Sequence, residues 1–435
     1  MENAPLRHPF YDDLREVPGY VMHRVSYWKT TGIALAGVVL TLSALLWLNS
    51  ASGHRAVLAA STFLSALLLI AFVFIAAGGL VCLWRDAREA SGTPGMFAPL
   101  ANRVPTGGLL SRVGLRFLRG PWLRPGDVVS VRSWNEIQAT LDAAGTLDGL
   151  PFMAEMMEYC GGIFRVHRRV DKINDMRHKT GLRRMRDTVT LSGLRCSGSR
   201  HDGCQAECQI LWKDSWLRRL PAKRQVALDR EVANQSRHAV DKSESSDNDR
   251  TYVCQMTELW EASRPMSFFD LRQDLRPLLS GNVGIQGYLI AILTRIFNMV
   301  QRLRGGAGYP FMPVKVAGET PVTNTDFKVG EAVVIRSKNE IAQTLIRGRN
   351  RGLWFDPEMI RFCGQAAVVR KCVHRIIHEA TRKMVVMKTP CVVLENVVAT
   401  GEFLRLCPQH EYIFWREIWL KRPGRDSPNV AASDF

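Results

Sequence analysis

Two long apolar segments constrain the fold of this chain more than any other feature of its sequence. Residues 31–48 (TGIALAGVVLTLSALLWL) and 57–84 (VLAASTFLSALLLIAFVFIAAGGLVCLW) contain no charged side chain. A helix of about 20 apolar residues crosses the hydrocarbon core of a bilayer. A cleaved signal peptide is disfavoured because the first segment begins near residue 30 and a second one follows it. We therefore predict a two-helix transmembrane hairpin over residues 30–84, with a buried core hairpin as the alternative.

Basic residues surround the two segments unequally. Four of them lie within residues 1–29, and Arg85 and Arg88 follow the second segment, whereas the connecting loop contains Arg55 alone. Loops rich in lysine and arginine stay on the cytoplasmic side of a membrane. The sequence thus predicts an inner (cytoplasmic) membrane protein that has both termini, and most of its chain, in the cytoplasm.

A surplus of positive charge fits this location. The 58 lysines and arginines exceed the 41 acidic residues, which gives a formal net charge of +17. Anionic lipids attract such a surface, so we predict the lipid bilayer, with its anionic inner leaflet, as a partner alongside other proteins. Nucleic acid is not expected as a partner, because the sequence has none of the usual nucleic-acid-binding motifs.

Two regions of the cytoplasmic part repeat one another. Matching stretches recur in the same order at an offset of 203 or 204 residues, which predicts two copies of one module. We call residues 123–220 module 1 and residues 325–422 module 2. The matching stretches are 126–137 (GDVVSVRSWNEI) with 330–341 (GEAVVIRSKNEI), 149–161 (GLPFMAEMMEYCG) with 352–364 (GLWFDPEMIRFCG), and 211–219 (LWKDSWLRR) with 414–422 (FWREIWLKR).

Each module is predicted to be small and mainly β. In module 1, Val129 and Val131 alternate with polar residues, and residues 163–170 and 188–191 show the same period of two. Short strands between glycine and polar turns favour a curled antiparallel sheet, and GDVVSVRS is similar to the first strand of an SH3-like barrel. The predicted fold class is therefore membrane-anchored α+β: an N-terminal transmembrane hairpin, then two repeated SH3-like modules with associated helices.

The remaining segments are assigned by composition. Residues 85–122 are rich in glycine, proline and arginine and predict a linker between the membrane and module 1. Residues 221–324 combine a polar, mobile loop with a helical insert. Residues 1–29 form an N-terminal cytoplasmic segment, and residues 423–435 form a tail.

Two patterns have helical spacing. Apolar residues between Ile285 and Leu303 recur on one side of a helix. We favour a side that faces the core; the alternative is a helix in the membrane interface, where Arg295 and Arg302 could reach headgroups. Trp212 and Trp216, four residues apart, predict one packed helix face.

A cluster of cysteines provides the main candidate site. In a reducing cytoplasm, ten cysteines indicate metal binding, redox chemistry or buried thiols rather than disulfides. Four thiolates, or three with an imidazole, would hold a structural zinc ion, and four thiolates would also hold an iron–sulfur cluster. The spacing lacks the C-x2-C pairs of zinc ribbons, so buried thiols are the alternative. The candidate ligands are Cys160, Cys196, His201, Cys204 and Cys208.

Module 2 lacks most of these donors. Two of the cysteines have counterparts there, Cys363 and Cys407, whereas Ala399, Leu404 and Glu411 occupy the places of the other three donors. The framework thus recurs without the ligand set. We therefore predict that metal binds in module 1 only.

Signals for catalysis are weaker. Glu155 and Glu358 occupy equivalent positions and are interpreted as charges that open helices rather than as acid–base groups. Cys160 and His167 could form a thiol–imidazole pair, but nothing in the sequence fixes their geometry. The sequence contains no GxxxxGK[ST] phosphate loop, no GxSxG elbow and no HExxH helix. The sequence leaves open whether the chain is an enzyme.

Four stretches together carry a resemblance. GDVVSVRS, GLPFMAEMMEYCGG, LSGLRCSGSRHDGC and FWREIWLKR resemble an uncharacterised family of bacterial proteins with duplicated, cysteine-containing SH3-like modules. The resemblance spans most of residues 123–422, leaves the hairpin outside and implies no activity.

Three functions follow from these patterns. We expect a membrane-anchored, cytoplasm-facing protein whose duplicated, metal-stabilised modules act as an interaction or assembly platform. The first alternative is an iron–sulfur redox protein at the membrane. The second is a biosynthetic enzyme whose catalytic site lies between the modules.

Overall fold

A computed structural model of the chain describes residues 20–50, 55–90, 122–221, 250–267, 270–313, 315 and 317–424. Most of the predicted N-terminal segment, linker, polar loop and tail lie outside the described residues.

Two apolar helices begin the described chain. They are α1 (Tyr20–Ser50) and α2 (Arg55–Ala90). The windows Ser26–Leu45 and Leu64–Glu89 are long and apolar enough to cross a membrane, and only 22% of each window is buried. The prediction of two such helices near the N-terminus is confirmed. Because α2 continues to Ala90, residues 85–90 are helical, although their composition assigns them to the linker.

Small residues let the two helices approach closely. The ring of Phe72 lies against Gly37, where a Cβ would come within 2.6 Å of the ring. Gly79 faces the hydroxyl of Thr31 in the same way. Small residues are a common means of close packing between membrane helices. These pairs make the hairpin antiparallel and place the start of α1 beside the end of α2.

The rest of the described chain is built from strands and helices, most of which are short. The strands are β1 (Val128–Val131), β2 (Thr146–Leu147), β3 (Leu150–Pro151), β4 (Ile163–Arg169), β5 (Lys172–Asp175), β6 (Gly181–Arg184), β7 (Thr188–Arg195), β8 (Gln209–Lys213), β9 (Leu217–Arg219), β10 (Arg264–Pro265), β11 (Ala332–Ile335), β12 (Arg349–Asn350), β13 (Leu353–Trp354), β14 (Ala366–His378), β15 (Lys383–Val398), β16 (Tyr412–Arg416) and β17 (Leu420–Lys421). The helices are α3 (Trp134–Gln138), α4 (Arg272–Leu279), α5 (Ile285–Leu303) and α6 (Lys338–Ala342), with 3-10 helices at Ala154–Tyr159, Asp214–Trp216, Pro357–Phe362 and Glu417–Trp419.

Each module contains a five-stranded antiparallel sheet. The strand order is β8-β7-β4-β1-β9 in module 1 and β16-β15-β14-β11-β17 in module 2. In both sheets the last strand pairs with the first, directly after a 3-10 turn. A three-stranded sheet, β10-β6-β5, extends module 1. The described chain is therefore mixed α+β, as predicted, while the SH3-like character of the modules stays a prediction.

The tryptophan pair of module 1 is buried but does not lie on one helix. Trp212 belongs to β8 and Trp216 to the 3-10 turn that follows it. The helical prediction is wrong here because all five residues of β8 are buried, so the strand shows no alternation. The indole N–H of Trp216 donates to the hydroxyl of Thr140 (3.0 Å), and in module 2 Trp419 donates to Thr344 (2.9 Å).

The apolar side of α5 does not face the core. This helix packs on the hairpin, where the rings of Phe297 and Tyr27 meet with centroids 5.1 Å apart. The prediction of a core-facing apolar side is wrong because the hairpin contacts a side that carries small and polar residues. The buried residues of α5 are Ala291, Thr294, Phe297 and Gln301. Its exposed large apolar residues are Ile285, Leu289, Met299 and Leu303.

Candidate metal centre and docking loops

The first element of the site is a buried carboxylate on a 3-10 helix. Glu155 lies in Ala154–Tyr159, which follows the β2–β3 hairpin, and is only 4% exposed. Ser197 donates two hydrogen bonds to its Oε2, one from the backbone N–H and one from the hydroxyl, each 3.1 Å. Its Oε1 is buried and has no hydrogen-bond partner among the described residues. An unpaired buried carboxylate oxygen is costly, so Oε1 is suited to bind a cation.

The second element is the loop after β7, residues 196–208, which we call loop 1. The N–H of Cys196 donates to the carbonyl of Cys208 (2.9 Å) and closes the base of the loop. Within it, the N–H of His201 donates to the carbonyl of Gly198 (2.9 Å). Gly198 has a φ of +74°, and a Cβ there would overlap the backbone across the loop, so only glycine fits. The reversal brings the imidazole of His201 beside the thiol of Cys196.

These elements form a group of three candidate ligands. One ligand atom each from Glu155, Cys196 and His201 lies within 4.8 Å of the other two. The sulfur of Cys196 and Nδ1 of His201 are 3.6 Å apart. Ligands of one tetrahedral zinc ion are separated by roughly 3.5 Å, and zinc accepts carboxylate, thiolate and imidazole donors. The residues present therefore fit a metal ion, with one coordination position left for water.

Electrostatics in the group favour a cation. Burial raises the pKa of the Cys196 thiol far above its usual range, and the charge of Glu155 raises it further. A thiolate beside a buried carboxylate is unfavourable without a compensating charge. A divalent cation supplies that charge, so metal binding would be coupled to loss of the Cys196 proton.

Two of the five predicted ligands, Cys196 and His201, belong to this group. The third member, Glu155, is the residue that the sequence pattern assigns to helix opening. Its role depends on the 3-10 helix facing loop 1, a long-range contact that no local pattern shows. The available signal was its counterpart Glu358, because a glutamate that recurs at one place in both modules has a common structural reason.

The other three predicted ligands lie outside the group. The thiol of Cys160 donates to the carbonyl of Met156 (4.0 Å), and the sulfur of Cys204 accepts the N–H of Ile377 (3.3 Å). Cys208 contributes its backbone carbonyl to the base of loop 1. Among the described residues, no group of three close ligands contains any of these cysteines. The group thus offers one thiolate, whereas an iron–sulfur cluster uses four.

Module 2 contains the same loop without the donors. In residues 399–411, which we call loop 2, Thr400 donates to Oε2 of Glu358 from its N–H (2.5 Å) and its hydroxyl (3.2 Å). Ala399 and Leu404 stand where loop 1 has the thiol and the imidazole. Burial, with the charge of a neighbouring aspartate, raises the pKa of Glu358 to about 7.

Loop 1 crosses over to module 2. Oε1 of Gln205 accepts the backbone N–H of His374 (2.7 Å). Glu207 forms ion pairs with Arg370 (2.8 Å) and Lys371 (3.0 Å) on β14. The C-terminal end of loop 1 is therefore also a docking element between the modules.

Loop 2 crosses over to module 1 in return. Oε1 of Gln409 accepts the backbone N–H of Asn174 (2.9 Å). Nδ1 of His410 lies 3.0 Å from Nε2 of His167 on β4. Burial and two neighbouring arginines lower the pKa of His167 to about 3, so this imidazole is neutral at pH 7.

The two docking sites correspond residue by residue. At the repeat offset, His410 takes the place of Glu207, and His167 takes the place of Arg370. One side of the contact between the modules is thus held by an ion pair and the other by a pair of imidazoles.

A buried lysine connects module 2 to the hairpin. Lys338 on α6 is 5% exposed, and its ammonium lies 3.5 Å from Asp86 and 3.3 Å from Glu89 at the end of α2. The loss of one partner from a buried ion pair leaves an unpaired charge, which is strongly destabilising. This contact therefore holds α6 firmly against α2.

A second buried contact lies beside it. Glu402 of loop 2 accepts hydrogen bonds from Arg85 of α2 and from Arg361 of module 2. Burial alone would raise the pKa of this carboxyl, but the two guanidinium groups outweigh it and lower the pKa to about 2. Glu402 is thus ionised at neutral pH and joins the hairpin to loop 2.

No protein-family model, no curated protein and no solved structure matches this chain. The predicted resemblance to a family of duplicated modules therefore stays a prediction. The features that bear on function are the candidate metal ligands, the two docking loops and the buried contacts between module 2 and the hairpin.

Proposed function

We propose that this protein is a membrane-anchored platform on which two docked modules present a fixed surface to protein partners. The observation that carries the proposal is the buried pairing of Lys338 with Asp86 and Glu89. A flexible tether would leave these charged groups in solvent. Their burial between α6 and α2 supports a fixed contact, which would set the orientation of the modules relative to the bilayer.

The proposal includes a zinc ion held by Glu155, Cys196 and His201. Their donor types, their spacing and the unpaired Oε1 of Glu155 support it. When bound, zinc would link loop 1 to the 3-10 helix below it. Because Gln205 and Glu207 on this loop contact module 2, zinc would also stabilise the contact between the modules.

The proposed location is the inner membrane, with both termini in the cytoplasm. The start of α1 and the end of α2 lie at the same end of the hairpin, and module 2 is attached to that end. Basic residues flank the hairpin there, which supports a cytoplasmic side and an anionic inner leaflet as the adjoining surface.

The modules are proposed to be SH3-like. The closing of each sheet by its last strand on its first, after a single 3-10 turn, supports a small curled fold. The alternatives have less support. The candidate ligand group has one thiolate, and an open cavity of about 380 Å³ is lined by module 2 and insert residues such as Thr320, Arg349 and Arg351 rather than by both modules.

Charge reversal at Lys338 tests whether module 2 is fixed to α2. In Lys338→Glu, the new carboxylate faces Asp86 and Glu89, so we expect module 2 to separate from α2. Amide hydrogen exchange of the full-length protein should rise at the end of α2 and in α6. The control is Lys388→Glu, which changes an exposed lysine of the same module away from α6. Equal hydrogen exchange in both variants would contradict a fixed contact between module 2 and α2.

Reporter fusions test the anchor separately. A reporter at residue 53, in the connecting loop, and one at the C-terminus should report opposite sides of the membrane. Reports from the same side would show that the hairpin does not span the bilayer in the proposed way.

A further inference from the structure

Helix α4 exposes three leucines beside Arg272 and Arg276, and its buried side carries polar residues. Leu271, at its N-cap, is 70% exposed, and Leu275 and Leu279 are also exposed. The buried residues of the helix include Gln273 and Asp274. A surface helix of a water-soluble protein has the opposite arrangement.

Helix α5 repeats this inversion over its whole length. Ile285, Leu289, Met299 and Leu303 are exposed, and their spacing of 4, 10 and 4 residues places them on one side of the helix. Thr294 and other buried residues lie on the opposite side. The two helices therefore present apolar faces that no described part of the chain covers.

The position of α5 on the hairpin identifies what covers this face. A Cβ at Gly78 of α2 would lie 2.6 Å from the carbonyl oxygen of Leu293, so the backbones of α2 and α5 touch there. Gly78 falls inside the candidate span Leu64–Glu89. Trp84, which is exposed near the end of that span, is about 9 Å further along the helix. A bilayer that covers α2 up to Trp84 necessarily reaches α5.

Two exposed tryptophans support the same depth of α5 in the bilayer. Trp28 on α1 and Trp84 on α2 lie near the module end of the hairpin. Tryptophan concentrates at the boundary between acyl chains and headgroups. Interfacial helices lie in this layer with their apolar side about 5–10 Å below the surface. The contact at Gly78 places α5 within that range.

The buried polar residues of α5 form hydrogen bonds with the hairpin, although Nε2 of Gln301 has no partner among the described residues. Oε1 of Gln301 accepts the hydroxyl of Thr30 on α1 (2.9 Å), and Arg85 donates to the hydroxyl of Thr294 (3.5 Å). Polar groups near the hydrocarbon layer need such internal partners. The inversion thus has a physical reason, because the polar side is shielded by protein and the apolar side is left for lipid.

We propose that α4 and α5 form a pair of helices embedded in the cytoplasmic leaflet, with Leu275, Leu289 and Leu303 in contact with acyl chains. The proposal rests on the proposed membrane anchor and deepens it, because the bilayer then contacts the modules through a second, in-plane element. Continuity of the apolar face with α2 favours lipid over a protein partner or a second copy of this chain.

Site-specific photo-crosslinking tests the proposal. The full-length protein, with p-benzoylphenylalanine in place of Leu275 or Leu289, is reconstituted in vesicles of phosphatidylethanolamine and phosphatidylglycerol and irradiated. Phe74, exposed on α2, serves as the position that tests the anchor. Val386, exposed near the tip of the β14–β15 hairpin, serves as the position outside the proposed membrane layer. Mass spectrometry identifies the adducts.

The expected result is lipid adducts at Leu275 and Leu289 in yields similar to that at Phe74, with only background at Val386. Lipid adducts at Phe74 without any at Leu275 and Leu289 would overturn this inference and leave the anchor intact. Adducts between two copies of the chain would show a dimer surface instead. No lipid adduct at Phe74 would overturn the anchor and this inference with it.

Discussion

Loop 1 and loop 2 share a frame and differ in what the frame holds. In each, a buried glutamate accepts two hydrogen bonds from one serine or threonine, and a glycine with positive φ lets the chain reverse. Loop 1 adds a thiol and an imidazole, whereas loop 2 has Ala399 and Leu404. Since loop 2 takes its path without these donors, the path does not require metal. The path of the loop therefore leaves Cys196 and His201 available for the proposed metal site.

The two docking contacts also differ, because only one of them is an ion pair. Glu207 and Arg370 attract each other on one side, and on the other side His410 contacts His167, which is neutral at pH 7. An ion pair keeps its strength from weakly acidic to neutral pH, whereas a buried imidazole pair loses strength once acid protonates it. The contact between the modules is thus built to depend on pH at one side only.

Metal content should show the largest difference between the loops. Cys196→Ala with His201→Leu gives loop 1 the residues of loop 2. We expect metal in the purified full-length protein to fall from about one ion per chain to background by elemental analysis. If free zinc exceeds its dissociation constant about 1,000-fold, the lost stabilisation is about 4 kcal/mol.

Two matched variants sharpen this test. Glu358→Gln alters the equivalent glutamate of module 2 and should leave metal content unchanged. Ala399→Cys with Leu404→His gives loop 2 the donors of loop 1 beside Glu358 and should add a second ion per chain. Unchanged metal content in the Cys196→Ala and His201→Leu variant would reduce the group to buried polar residues, and visible absorbance would indicate an iron–sulfur cluster instead of zinc.

The sequence predicts those features that depend on local pattern. The two apolar helices were predictable because an uncharged apolar run of membrane length has few other uses. The strand that contains Val129 and Val131 was predictable from their spacing of two residues, and both side chains are buried. Trp212 was assigned to a helix because β8 is buried on both faces and shows no period of two.

Long-range contacts account for what the sequence missed. Glu155 becomes a candidate ligand only when its 3-10 helix meets loop 1. The apolar residues of α5 have the helical period that the sequence shows, but periodicity cannot say whether an apolar side faces protein or lipid. That distinction depends on Gly78 and Thr30 of the hairpin, more than 200 residues away in sequence.

The hydrogen bonds from the buried indole N–H groups should contribute equally to the stability of both modules. Thr140→Val and Thr344→Val each remove the acceptor of an indole N–H, donated by Trp216 in module 1 and Trp419 in module 2. An unsatisfied buried donor costs about 2 kcal/mol. We expect similar decreases in the free energy of unfolding, measured with denaturant in detergent. Unequal decreases would show that the two tryptophan–threonine contacts are not equivalent.

Acid should weaken the contact at the imidazole side. The pKa of His167 is about 3 in the folded protein and about 6.5 in the unfolded chain. Between these values the unfolded chain binds a proton that the folded protein does not, so stability falls as pH decreases below about 6.5. From pH 7 to pH 5 the loss is about 2 kcal/mol. His167→Gln should remove this part of the pH dependence.

The comparison with His167→Gln isolates this histidine. Burial raises the pKa of nearby Glu411 to about 7, and this carboxyl contributes a pH dependence of opposite sign that both proteins share. Arg370→Gln, on the ion-pair side, should keep the pH dependence of the original protein. An identical pH dependence in His167→Gln and the original protein would mean that His167 does not titrate in this way.

The ion pair on the opposite side should give the smallest effect. Glu207→Gln removes the charge that meets Arg370 and Lys371, whose side chains are about one-third and one-quarter exposed (34% and 24%). Glu207 itself is 18% exposed, so the pair is partly buried. Exposed ion pairs contribute about 0.2–1 kcal/mol, and we expect a loss near the upper end of that range in the free energy of unfolding. Because the pair is accessible to solvent, the loss should shrink as salt is raised from 0.05 to about 1 M, where the Debye length is about 3 Å. A loss of about 3 kcal/mol or more, insensitive to salt, would instead place Glu207 among the buried pairs, as with Lys338, and the two sides of the contact would then differ in pH response but not in strength.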